Sequence, residues 1–238
     1  MSDLLDWART SPVPMVLLTL VGYLLGCRLR DATGGHPLAQ PVVVAVLVVA
    51  PVTALLDVDY RAYLDRVSLL SFWLGPATVA LAVPLHRQAH RLRGFVMPML
   101  GIVAVGAAVS VTSGVLLVRA LGGSDVLQRT MAPKATTTPV SLALSESLGG
   151  IPALSAALTI LVGILGAIAG PALLTLLRVR DRRARGLAIG SVSHGIGTAR
   201  VLHEDEVEGA FAGLGMGLTA LLTSLLMPAL AWLLFTRL

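Results

Sequence analysis

"APKATTTPVSLALSESLGG", residues 132–150, holds the chain's single lysine, three consecutive threonines, two prolines and a glutamate. Its reading decides the fold because the sequence around it is strongly apolar. Over 238 residues, 55% are hydrophobic and 13% charged, with a mean hydropathy of +0.84. A water-soluble domain of this size would lack the polar surface to cover itself, so the chain reads as an integral membrane protein. Pro133 and Pro139 hold the backbone out of a helix on either side of the threonines, and a helix can begin at or just after Pro139. Irregular backbone of this kind survives at membrane depth only against protein or a water-filled cavity.

Working outward, a helix needs roughly 20 apolar residues to cross the hydrocarbon core. Six segments qualify: Val13–Leu29, Pro41–Leu56, Ser68–Leu85, Phe95–Leu121, Ile151–Leu177 and Gly209–Phe235. Two weaker ones, 132–148 and 186–202, are interrupted by glycine, proline or polar residues. The expected fold is therefore all-α: one polytopic membrane domain over 1–238, with about six spanning helices and one or two re-entrant or discontinuous helices. Arginine concentrates in "CRLRD" (27–31), "HRQAHRLR" (86–93) and "RVRDRRAR" (178–185), which predicts these loops cytoplasmic and the N-terminus outside. On that count 132–148 enters and leaves on one side, whereas whether 186–202 crosses stays open. The start, "MSDLLDWARTSPVP", has no basic n-region, and no signal peptide is expected. "PATVALAV" (76–83) echoes "TTPVSLAL" (137–144), so the interrupted segments near 68–85, 132–148 and 186–202 are candidates for an internal repeat of the kind that builds transporters.

A net charge of +5 does not point to nucleic acid, because the arginines lie in short loop clusters without stacking aromatics. Lone Cys27 has no disulfide partner and reads as a small apolar wall residue.

Ionisable groups in or beside the interrupted segments are the default candidates for function. A helix beginning near Pro139 directs free N–H groups and the hydroxyls of Thr136, Thr137 and Thr138 toward one place, with Lys134 beside them, an arrangement suited to a small anion. In the alternative reading Thr138 caps the helix and Lys134 snorkels to the headgroups. "GSVSHGIGTAR" (190–200) offers a second such place with Ser193, His194, Gly195, Gly197, Thr198 and Arg200, where arginine can clamp a carboxylate and glycines admit a close backbone. Opposed half-helices with Lys134 on one side and Arg200 on the other would make a two-sided carboxylate site. The bland alternative has His194 bonded to a neighbouring helix and Arg200 at an interface. Glu146 and Glu204 are candidates for ion coupling, although the acidic run 204–208 also suits a solvated helix start. No resident cofactor or metal is expected; coupling to protons or sodium stays open. An enzyme is not expected: adjacent Ser193 and His194 point apart on a helix, no nucleophile elbow is evident, and there is no H-E-x-x-H, C-x-x-C or P-loop.

Four blocks, "SFWLGPATVALAVPLHRQ" (71–88), "KATTTPVSLALSESLGGIPALSA" (134–156), "GAIAGPALLTLLRVRDRRARGLAIGSVSHGIGTARVL" (166–202) and "EGAFAGLGMGLTALL" (208–222), together resemble the LrgB/CidB family of bacterial membrane proteins over roughly residues 10–237. The resemblance implies a multi-pass protein of the bacterial cell membrane, holin- or antiholin-like and linked to murein hydrolase activity and autolysis. It also implies transport of small monocarboxylates, since plastid relatives are glycolate/glycerate translocators and bacterial members are tied to pyruvate uptake. A small LrgA/CidA-type membrane protein is the implied partner, and a homo-oligomer is expected. Threonines at 136 and 137 depart from the serine-valine type pair expected of the family, which touches fine substrate preference only.

Overall fold

The computed structural model describes residues 6–7, 9–33, 39, 41–70, 72–73, 76 and 96–237. No strand occurs among the described residues, and the chain divides into two compact units, 1–80 and 81–238.

In the first unit, α1 (Pro12–Ala32) begins with Ser11, whose Oγ accepts the Val13 N–H, and Pro12 at the first helical position. Helix α2 (Pro41–Leu55) packs on α1 where Gly26 lets the Pro41 backbone come close. At 15 residues it is about 22 Å long, too short to cross upright. Helix α3 (Tyr60–Arg66), capped by Asp59, bends away at 114° and ties to α1 through Tyr63 Oη and Thr19 Oγ1 at 2.7 Å.

The second unit contains α4 (Val96–Ala120), α5 (Asp125–Met131), α6 (Thr138–Ser147), α7 (Pro152–Leu176), α8 (Arg182–Glu204) and α9 (Glu206–Trp232), closed by a π-helical turn at Leu233–Arg237. Of the described helices, four are long and apolar enough to cross a membrane: α1, α4, α7, and α9 with its final turn. The bent pair α2–α3 makes a fifth if it is one span. This is a multi-pass, all-helical membrane protein, and its outer faces carry exposed leucines and valines suited to lipid. The expected segment 68–85 lies largely outside the described residues, and with it most of the echo at 76–83.

The stretch 132–148 is a re-entrant hairpin. Its two ends are clasped together, because Arg129 Nη1 donates to Leu148 O at 2.9 Å and Ile151 N to Thr130 Oγ1 at 2.9 Å. Between them the chain runs inward through 132–137 and returns as α6, whose ten residues make about 15 Å, half a bilayer core.

Helix α8 turns back on itself at His194, where φ 39° and ψ −131° interrupt the helix. Arg182 Nη1 meets Asp205 Oδ2 at 2.7 Å across 23 residues, whereas a straight helix would hold them about 34 Å apart. A Cβ on Gly197 would stand 2.8 Å from Ile189 Cγ2, so the arms 182–193 and 195–204 lie side by side, with Ile189, Val201 and Ala212 of α9 sharing one buried cluster. Residues 186–202 therefore do not cross; both ends sit at the same end of the unit. The two hairpins enter from opposite ends of α7, since one base adjoins Pro152 and the other follows Leu176.

Candidate functional site

The site is built where both hairpins bond to α7. Thr159 joins them: its Oγ1 donates to Ser141 Oγ of α6 at 2.7 Å, and its carbonyl lies 3.0 Å from His194 Nε2 at the turn of α8. Ser141 Oγ also lies 2.6 Å from Ser155 Oγ, and the three hydroxyl residues are fully buried. In a bilayer a buried hydroxyl must find a partner within the protein, which is why these three converge. The sequence reading missed Ser141, Ser155 and Thr159. The available signal was the recurrence of hydroxyls four apart, Ser141 with Ser145 and Ser155 with Thr159, on otherwise apolar helices.

On the first hairpin, Lys134 does not reach for the headgroups. Its Nζ donates to Ser110 O of α4 at 2.5 Å, with Ser110 Oγ at 3.3 Å. Gly114, one turn on, makes room: a Cβ there would stand 2.5 Å from the ammonium. Ser110 is ten residues from the end of α4, about 15 Å, so the charge lies deep. Thr137 occupies the cap position of α6 without a side-chain cap bond, Thr138 is the first helical residue, and buried Thr136 turns its hydroxyl to Pro133 O at 2.8 Å. The cap therefore falls at Thr137 rather than Thr138, and the first N–H groups of α6 face inward.

On the second hairpin, the His194 ring lies over Gly163 of α7, where a Cβ would strike Cε1. A carbonyl only accepts, so Nε2 carries the hydrogen. Ser193 is buried with its Oγ against Gly166, Thr198 Oγ1 donates to His194 O at 2.6 Å, Gly197 packs between the arms, and Gly195 is exposed at the turn. Arg200 points elsewhere than expected. Its Nη1 donates to Ala167 O, and its Nε meets Glu204 Oε1 at 3.1 Å. Residue 171, four beyond Ala167, is a proline without an N–H, so Arg200 satisfies a carbonyl that the helix itself leaves free. Glu146 is exposed on the last turn of α6 near the hairpin base, and Glu204 is at the base of the second hairpin. The start of α6 and His194 are thus brought to α7 and Lys134 to the middle of α4, while Arg200, Glu204 and Glu146 lie nearer the hairpin bases.

Among the described residues no group of three or more His, Cys, Asp or Glu side chains could hold a metal ion. Chemically, a half-helix N-terminus and an ammonium each favour an anion, and each hairpin supplies one or both of these groups among neutral hydroxyls.

The model of the LrgB-like family matches residues 19–233. The chain is 33% identical over 219 residues to the uncharacterized protein YxaC of Bacillus subtilis (strain 168), covering 92% of this chain and 95% of that one. It is 30% identical over 213 residues to the antiholin-like protein LrgB of Bacillus mycoides (strain KBAB4), covering 90% and 93%, and equally similar to that of Bacillus cereus (strain B4264). No solved structure matches.

Proposed function

This chain belongs to the LrgB-like family, and from that premise we propose that it is a carrier, not an enzyme, which moves small monocarboxylates of the glycolate, glycerate or pyruvate type across the membrane by alternating access. The observation that carries this reading is the pair of hairpins entering from opposite ends of α7 and both bonded to Thr159. Broken helices meeting near the midplane, with N-termini turned to a shared place, are how secondary carriers hold anionic groups without crossing the bilayer with unpaired backbone. Lys134 supplies the positive charge, the N–H groups of α6 and of the arm after His194 supply direction, and the hydroxyls of Thr137, Thr138 and Ser193 line the approach, with Thr136 and Thr198 bracing the two turns through Pro133 O and His194 O. Arg200 acts through position, holding the second hairpin to α7.

A second reading is favoured by the name of the relatives: a holin/antiholin-related protein that, with a small LrgA/CidA-type partner or as a homo-oligomer, regulates permeability and murein hydrolase release in the bacterial cell membrane. The two separate in proteoliposomes loaded against labelled glycolate, glycerate and pyruvate. A carrier shows saturable uptake that discriminates among solutes and falls in Lys134→Ala, whereas a pore passes unrelated solutes without saturation. Uptake equal to that of empty vesicles for all three acids refutes the carrier.

A further inference from the structure

Hydroxyls that lack a donor or acceptor in the middle of a membrane protein are costly, and two of them lie on neighbouring helices here. Among the described residues, Ser191 Oγ on the first arm of α8 and Thr219 Oγ1 on α9 are buried without a hydrogen-bond partner. Their juxtaposition follows from register. The first arm and α9 run in the same direction and so closely that a Cβ on Gly190 would strike Ala212 O. A Cβ on Gly215 would stand 2.5 Å from Leu187 O and 3.2 Å from Ser191 Oγ. Leu187 and Ser191 thus both border Gly215, and Thr219, which is 3% exposed and midway along α9, lies one turn beyond Gly215 on that helix. Leu187 O and Ser191 Oγ meet beside the bare face of Gly215, with the unpartnered Thr219 Oγ1 one turn further along α9.

The chemistry of that group is specific. Its oxygens are neutral and hard, which suits an alkali cation. No carboxylate stands on either element within a turn of it, so a divalent ion would bring uncompensated charge. The arm's last turn adds the negative end of a half-helix, the feature that coordinates coupling ions in broken-helix carriers.

We infer that Ser191, Thr219 and the Leu187 carbonyl form a sodium site between the first arm of the second hairpin and α9. As a coupling site it rests on the carrier reading above; as a binding site it stands alone, and the test keeps the two apart. Purified protein is held at constant ionic strength in sodium, potassium or choline chloride, without any carboxylate, and its thermal unfolding is followed. Sodium at about ten times its dissociation constant is expected to raise Tm by roughly 3–6 °C over choline, with potassium much weaker. Thr219→Val and Ser191→Ala are expected to abolish the sodium response while leaving Tm in choline unchanged or higher, since each removes an unpartnered hydroxyl. A hydroxyl serving structure alone would lower Tm in choline. Equal Tm in the three salts, or a full sodium response in Thr219→Val, overturns the site. If sodium shifts Tm but no labelled monocarboxylate enters vesicles, the ion site stands and the carrier reading falls. If uptake is saturable yet indifferent to sodium, the carrier stands and the coupling role falls, while the binding site is decided by Tm alone.

Discussion

Lys134 owes its position to a missing atom as much as to its charge. The ammonium fits against Ser110 O because Gly114 lacks a side chain, and the contact is with the far end of a flexible chain rather than with backbone. Gly114→Ala is therefore expected to displace the ammonium without unfolding the protein: thermal stability holds within about 1 kcal/mol while the apparent KM for glycolate rises roughly tenfold. Unchanged KM in a folded Gly114→Ala variant would count against Lys134 as the anion's partner. The sequence already marked Lys134 as unusual, since one lysine among prolines and threonines has no reason to be there by composition. It could not say where the side chain ends, because snorkelling and burial use the same residue and differ only in what faces it. Arg200 shows the converse: the sequence presented it as a clamp for substrate, but Pro171 on another helix decides that it serves a carbonyl instead.

At the scale of elements, that pairing makes a measurable coupling. Pro171→Ala restores an N–H for Ala167 O, so the loss of stability on Arg200→Ala should be smaller in the Pro171→Ala background, by about 1 kcal/mol in a double-mutant cycle. Strict additivity would show that Arg200 does not serve the freed carbonyl. The start of α8 carries a pH signature. Asp181 caps it, and hydrogen bonds from the Arg183 side chain, with those of the Ala184 and Arg183 N–H groups, hold its carboxyl down at about 2 from an ordinary 3.8. A depressed pKa contributes stability that is complete above 3.8 and is lost as pH falls through 2. Between pH 7 and 5 this cap is expected to leave unfolding unchanged, and Asp181→Asn should differ from wild type above pH 4 but converge with it near pH 2. A difference that persists unchanged at pH 2 would sink that account. Hairpin 132–148 was legible because prolines and threonines interrupt an apolar run. The turn in α8 was not, because its left-handed residue is His194 and not the neighbouring Gly195, and glycines in "GSVSHGIGTAR" serve tight packing as well as turns.

For the second unit as a whole, the hairpins fix a sidedness. With Cys27 replaced, a cysteine pair at Arg182 and Asp205 is expected to be bridged by a short bifunctional thiol reagent, which the separation of about 34 Å in a straight crossing helix would forbid. Single cysteines at Gly149 and His203 should react with an impermeant reagent from opposite sides of a sealed vesicle. Labelling of both from one side would refute the opposed arrangement. The number of crossings was less legible than their nature, because α2 is apolar along its length yet only 15 residues long, and hydropathy does not register a bend.

Lys134 lies about 15 Å from the end of α4, roughly half the thickness of the hydrocarbon core. An anion that reaches it has therefore fallen through about half of any transmembrane voltage. At about 2.3 kcal/mol per charge per 100 mV, its affinity from one side should change roughly sevenfold for each 100 mV imposed by a potassium diffusion potential. Electrically, the re-entrant fold is a terminal placed midway along a resistor, and binding itself becomes the voltage-sensing step.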